Sequence, residues 1–248
     1  MIKLAVPDNP VFNMLYEDSI NYDKEIQIFS VEETKCPEML RNSLVDAALL
    51  SPLGYSNSME RVDYRIIPSR MLAVEGYSGF ASIFFKKGLK TIRNYICPKP
   101  EDFLMIIGKI LLAERYNLIP SEIIKSGDLV DLLCKAEAVI DWLPSSGVDS
   151  ALDICEEWED TFQMPLPLAF WVTRAEEAPD TLISLLNNIS KTDLPDSVDI
   201  FDYKGVREGK FIQIWNDGIK IALEEVFHVL YYHQYIQDIP EIKIFGNN

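Results

Sequence analysis

Histidine is nearly missing from this chain: there are two in 248 residues, His228 and His233, both close to the C-terminus. A site that relies on imidazole must draw it from that one helix, whose apolar positions Ile221, Phe227, Leu230 and Tyr231 predict a core-facing side packed on the first lobe, away from any ligand. Cysteine is sparse as well. Cys36, Cys97, Cys134 and Cys155 are widely scattered with no CxxC pair, which argues against a zinc or redox site and for buried free thiols. Basic residues are outnumbered, 23 Lys and Arg against 39 Asp and Glu, for a net charge of −16. Nucleic acid and anionic membrane are therefore poor partners, since both need a basic footprint. An anionic small molecule remains possible, because charges beyond about 8 Å are largely screened at physiological salt and the local groups decide. No apolar run approaches the roughly 18 to 20 residues of a membrane span; Leu166 to Val172 is only strand-length. Met1 to Val6 runs straight into a strand without the charged and apolar regions of a secretory signal, so the expected location is cytoplasmic.

What is present is a 48% hydrophobic composition in an alternation of strands and helices. Ile2 to Val6, Glu25 to Phe29 and Ala47 to Leu50 read as strands, with helices at Val11 to Leu15 and Pro37 to Leu44 between them. This is βαβαβ, the mark of a parallel sheet. Tyr64 to Ile67 and Met71 to Val74 add extended segments. Two apolar strands, Phe80 to Phe85 and Leu166 to Val172, then bracket a self-contained α/β block. That block holds strands at Ile92 to Ile96, near Ile123-Ile124 and up to Asp141, with helices at Asp102 to Tyr116 and Leu129 to Cys134. Helices from about Asp180 to Ile189 and Ile219 to Tyr232 return to the first sheet. The expected organisation is an α/β protein with an outer lobe, residues 1–85 and 169–248, and an inserted lobe, residues 86–168, meeting at a hinge cleft.

Two strands end in matching fashion, Val45 to Leu50 at Ser51-Pro52 and Glu137 to Ile140 at Asp141-Trp142-Leu143-Pro144. Ligands of open α/β sheets bind beyond the carboxyl ends of strands, so these tips are expected to meet a ligand. At the first strand's tip, Asp8 and Asn9 precede Pro10, where free backbone N–H groups and the helix dipole favour an anion and where Asn9 also fits a plain helix cap. Ser51 either donates to a ligand carboxylate or caps the helix begun by Pro52; Tyr55 follows on that helix. Gly76, Ser78, Gly79 and Ser82 form a small-residue turn that permits close backbone approach, or simply a tight turn before a strand. Asp141 suits a ligand hydroxyl or a turn cap. Trp142 fits lobe packing or ring stacking, and Arg41 and Arg115 read as solvated helix charges.

A family likeness emerges from several segments in order: Asp46 to Pro52, Ser82 to Phe85, Ile110-Leu111-Leu112-Ala113-Glu114-Arg115-Tyr116, Glu156-Glu157-Trp158, and Met164-Pro165-Leu166-Pro167-Leu168-Ala169-Phe170-Trp171-Val172. Together they resemble the chorismate dehydratases of the futalosine route to menaquinone. The resemblance implies a two-lobed type II periplasmic-binding-protein-like fold with a hinge cleft and no metal or organic cofactor. It also implies a lyase that removes water from chorismate to give 3-(1-carboxyvinyloxy)benzoate. On this reading Asn9, Asp8 and Asp141 carry the chemistry, while Ser51, Tyr55, Gly76, Ser78, Gly79 and Ser82 bind the substrate, a small carboxylate. A naphthoate-forming relative on the same scaffold uses a cleft histidine, which this chain lacks. The first loop, Val6-Pro7-Asp8-Asn9-Pro10, replaces the family's Ser-Tyr-Leu-Asn-like segment. That change admits an alternative reading, a non-catalytic carboxylate-binding protein of solute-binding or sensor type.

Overall fold

The apolar strands pair into two separate sheets. The computed structural model describes residues 1–16, 26–57, 62–86, 88, 91–143, 152–175, 180–189 and 195–245; Pro144, expected at a strand tip, lies outside them. Strand β1 (Ile2–Pro7) leads through a 3-10 helix (Pro10–Leu15) to β2 (Ile26–Val31), α1 (Lys35–Arg41), β3 (Ala47–Leu50) and α2 (Pro52–Ser56). Then come β4 (Tyr64–Ile66), β5 (Leu72–Gly76), β6 (Ala81–Phe85), β7 (Asn94–Ile96), α3 (Phe103–Glu114), β8 (Ser121–Ile123), α4 (Leu129–Lys135) and β9 (Ala138–Trp142). The chain continues with β10 (Leu152–Asp153), α5 (Ile154–Phe162), β11 (Leu166–Arg174), α6 (Asp180–Ile189), β12 (Ser197–Phe201), β13 (Glu208–Ile212) and α7 (Asp217–Tyr232).

The larger sheet runs β12-β13-β5-β11-β3-β1-β2, with β4 also on β11; the smaller runs β10-β6-β9-β7-β8. The contacts divide the chain into unit 1 (residues 1–73, 167–198 and 211–248) and unit 2 (residues 74–166 and 199–210). These bounds differ from the expected ones by two residues at 167–168 and by whole segments in two places. Strand β6 belongs with the inserted block because it is hydrogen-bonded to β9 and β10. The tip of the β12–β13 hairpin joins unit 2 because Arg207 Nε donates to Glu156 Oε2 at 2.8 Å and its guanidinium lies 4.8 Å from the Tyr77 ring centre.

In unit 1, β1 sits between β2 and β3 and is parallel to both. The continuous burial of Ala47 to Leu50 and of Leu168 to Val172 explains why these strands read as unbroken apolar runs. Helix α7 buries Ile219, Ala222, Leu223, Val226, Phe227 and Leu230, a stripe at helical spacing. Ile221 and Tyr231, expected on that face, are 59% and 48% exposed; the stripe is rotated toward the alanine and valine. His228 lies on the exposed side. In unit 2, Phe84, Ile96, Leu132, Ala136 and Val139 form a buried cluster, and α3 is buried along most of its length. Cys36, Cys97 and Cys155 are buried as expected, but Cys134 is exposed, because α4 turns only Leu132 fully inward. Among the described residues, no helix is long and apolar enough to cross a membrane.

Candidate functional site

Parallel pairing brings the carboxyl ends of β1, β2 and β3 to one edge of the unit 1 sheet. Asp8, Asn9 and Ser51 follow directly. Asp8 is exposed, anchored by its N–H to Val31 O at 2.6 Å. Asn9 has the extended backbone of an N-cap residue, and its Oδ1 accepts from Val11 N at 3.0 Å. Ser51 is 3% exposed, and its Oγ accepts from Gly54 N at 3.3 Å. Both residues therefore cap helices, yet the Asn9 amide N–H groups and the Ser51 hydroxyl hydrogen have no partner among the described residues. Tyr55 requires a correction. It is wholly buried, donates to Glu241 O at 3.0 Å and accepts from Lys243 N at 3.3 Å, so its phenol ties the C-terminal segment to α2 instead of facing a ligand. Burial pushes that phenol up to about 12.

The unit 2 sheet has its own carboxyl edge, where β7, β8 and β9 end and the antiparallel β6 begins. Register sets Asp153, Ser82 and Asp141 in one row across β10, β6 and β9. Asp153 was missed in the sequence, though an Asp followed three residues later by Glu156 is a helix-start signature. It is completely buried and accepts from Ser78 N (3.1 Å), Ser78 Oγ (3.0 Å), Gly79 N (2.8 Å), Cys155 N (3.1 Å) and Glu156 N (3.2 Å). Burial pushes its carboxyl up to about 6 against the downward pull of these donors. The chain's own carboxylate thus occupies the donors of Ser78 and Gly79 that a ligand was expected to use. Ser82, beside it, is wholly buried. Gly76 serves the fold: at φ +74° a Cβ there would stand 2.7 Å from Glu208 O, so glycine lets β13 approach.

Asp141 is half-buried at the end of β9. Its Oδ1 accepts from Trp142 N at 2.8 Å, and its Oδ2 has no partner among the described residues. Burial raises its carboxyl above the usual range; the Asp102 charge adds to this and the Lys99 ammonium opposes it. Trp142 neither packs blandly nor stands free, since its Nε1 donates to Asp102 Oδ2 at 2.8 Å and so ties β9 to the start of α3. Lys99, in the Pro98-Lys99-Pro100 loop after β7, is exposed and makes no ion pair or side-chain hydrogen bond among the described residues. The sequence signal for Lys99 was a cation held between prolines just past a strand.

Arg115 is not a free surface charge. Its Nε lies 2.9 Å from Glu157 Oε2 and its Nη2 2.8 Å from Asp160 Oδ2, while Tyr116 donates to the same Glu157. The Leu-Leu-Ala-Glu-Arg-Tyr and Glu-Glu-Trp segments therefore hold α3 and α5 together. A hollow of about 320 Å³ in unit 2 is lined by Glu75, Glu159, Asp199, Glu208 and Lys210 among others. Four carboxylates against one ammonium make it a poor anion site. Among the described residues no cluster of His, Cys, Asp and Glu could hold a metal ion.

No protein-family model and no curated protein matches the sequence. Solved structures do resemble it in fold. Protein AF1704 from Archaeoglobus fulgidus superposes with a TM-score of 0.62 at 14% identity, covering 95% of this chain and 98% of that one. A structure described as an ABC transporter from Parabacteroides distasonis superposes with a TM-score of 0.54 at 12% identity, covering 95% of this chain and 79% of that one. At such identities the likeness speaks for fold and not for activity. The chain has a mixed α/β fold of the type II periplasmic-binding-protein-like class.

Proposed function

We propose that this chain binds a small carboxylate in the cytoplasm and removes water from chorismate or a close analogue, giving 3-(1-carboxyvinyloxy)benzoate. The observation that carries this reading is the pair of groups left unspent at the carboxyl edge of the unit 1 sheet, the Asn9 amide N–H groups and the Ser51 hydroxyl hydrogen; the unit 2 sheet leaves Asp141 Oδ2 unspent at its own edge. The first two are donors suited to a carboxylate. The third is an acceptor suited to a hydroxyl.

In the elimination, a carbon-bound proton is removed, its electron pair enters the ring, and the hydroxyl leaves as water. A base and a group that polarises the leaving oxygen are needed. Asp141, whose carboxyl is raised above its usual range by burial, serves the leaving oxygen: in its protonated form it gives that oxygen the proton with which it departs as water, and the proton taken from carbon replaces it. A substrate carboxylate serves as base, so the protein mainly positions and polarises. Each charged hydrogen bond is worth about 1.5 to 3 kcal/mol, whereas micromolar affinity needs about 8 kcal/mol. Several contacts must therefore act together.

The second reading, a non-catalytic carboxylate binder, draws on the capping role of Asn9 and on the placement of both histidines on or at the end of α7. Incubating the pure protein with chorismate and following the dehydrated product separates the two. Product supports the lyase; tight binding without product supports the binder.

A further inference from the structure

We infer that Lys99 and Asp141 form a two-point reading head on unit 2 for a ligand that carries a hydroxyl beside a carboxylate; this rests on the carboxylate-ligand reading above. Strands β7 and β9 are parallel neighbours, with Tyr95 opposite Ala138 and Ile96 opposite Val139. The loop after β7 and the tip of β9 consequently leave the sheet side by side. Lys99 is close enough to Asp141 to lower its proton affinity, yet the two do not form an ion pair.

Both groups are held in place. Pro98 and Pro100 fix the backbone on either side of Lys99, and Lys99 O accepts from Asp102 N at 3.1 Å. Asp141 is gripped through Oδ1 by Trp142 N, and Trp142 is gripped through its indole by Asp102. An unspent ammonium and an unspent carboxylate oxygen thus stand apart at one sheet edge. A ligand satisfies both when its carboxylate accepts from Lys99 Nζ and its hydroxyl donates to Asp141 Oδ2.

The surrounding charge explains why the hydroxyl matters. Asp102 and Asp141 repel a bare carboxylate, and Lys99 is the cation acting on Asp141. A ligand that also offers a donor turns one of those repulsions into a hydrogen bond. The head therefore selects hydroxy acids over plain acids.

Calorimetry with cis-2-hydroxycyclohexanecarboxylate and cyclohexanecarboxylate tests this, because the probes differ only in the hydroxyl. The parent protein is expected to bind the hydroxy acid about tenfold more tightly, as one charge-assisted hydrogen bond allows. Lys99→Met is expected to weaken both probes about tenfold, and Lys99→Arg to restore them. Asp141→Asn is expected to erase the preference for the hydroxyl. Neither site residue is in the core, and a thermal melt checks that each variant is folded. Equal binding by parent, Lys99→Met and Asp141→Asn overturns the inference, as does a parent that binds neither probe. If the pattern holds but chorismate yields no product, the dehydratase reading falls and the reading head stands. Product formed with no effect of either substitution on probe binding overturns the head alone.

Discussion

Asp153→Asn should change how stability depends on pH in a direction set by burial. The carboxyl is wholly buried and pushed up to about 6, against an ordinary value of 3.8. A folded value above the unfolded one means that the folded state holds the proton more tightly. The stability this provides is fully present below about pH 4 and is lost as pH rises through about 6. The step from 3.8 to about 6 corresponds to about 3 kcal/mol. Asparagine cannot ionise, so it avoids that loss, although its amide N–H groups replace one acceptor oxygen among the donors of Ser78, Gly79, Cys155 and Glu156. The hydrogen-bond penalty is nearly independent of pH and the ionisation cost is not. Stability of the variant minus that of the parent should therefore rise by about 3 kcal/mol between pH 3 and pH 7. Urea unfolding at a series of pH values, followed by tryptophan fluorescence, measures the difference, and the other carboxylates cancel from it. A difference that is flat within about 1 kcal/mol, or that falls with pH, would refute the reasoning. In that case the five donors, and not burial, set the proton affinity.

Tyr55→Phe leaves Glu241 O and Lys243 N without their phenol partner and should cost about 1 to 3 kcal/mol in urea unfolding, while carboxylate affinity stays unchanged. Gly76→Ala should destabilise more than Gly88→Ala: both have positive φ, but only at Gly76 does the added Cβ meet backbone, at 2.7 Å from Glu208 O. The excess, about 1 to 3 kcal/mol, is read from paired thermal melts. A thiol reagent should label Cys134 in the native protein and reach Cys36, Cys97 and Cys155 only after unfolding, since those three are buried and their thiols are held protonated by burial.

The strands of both sheets that pack on two faces were legible because burial on both sides leaves a run such as Ala47 to Leu50 with no polar interruption. The β12–β13 hairpin was not. Ser197 to Phe201 alternates between exposed and half-buried residues and buries none fully, so its place depends on partners distant in sequence, Glu156 for Arg207 and Tyr77 for Gly209. Placing the boundary of the inserted unit after Phe85 had the same cause: the run Phe80 to Phe85 is apolar whichever sheet it joins, and only pairing with β9 decides.

The site divides along a similar line. A strand tip announces itself locally through Asn9-Pro10, Ser51-Pro52 or Asp141-Trp142, but whether its polar atoms remain for a ligand depends on residues far along the chain. Ser78 lies 75 residues from the carboxylate that consumes it, and Tyr55 lies 186 residues from the carbonyl that receives its hydroxyl. No local pattern distinguishes a spent hydroxyl from a free one. Lys99 escaped notice for the opposite reason: an unpaired lysine in a loop looks like any solvated surface charge until sheet pairing sets it beside Asp141. In this chain residue type identifies what can bind, and hydrogen-bond satisfaction decides what is left to do so.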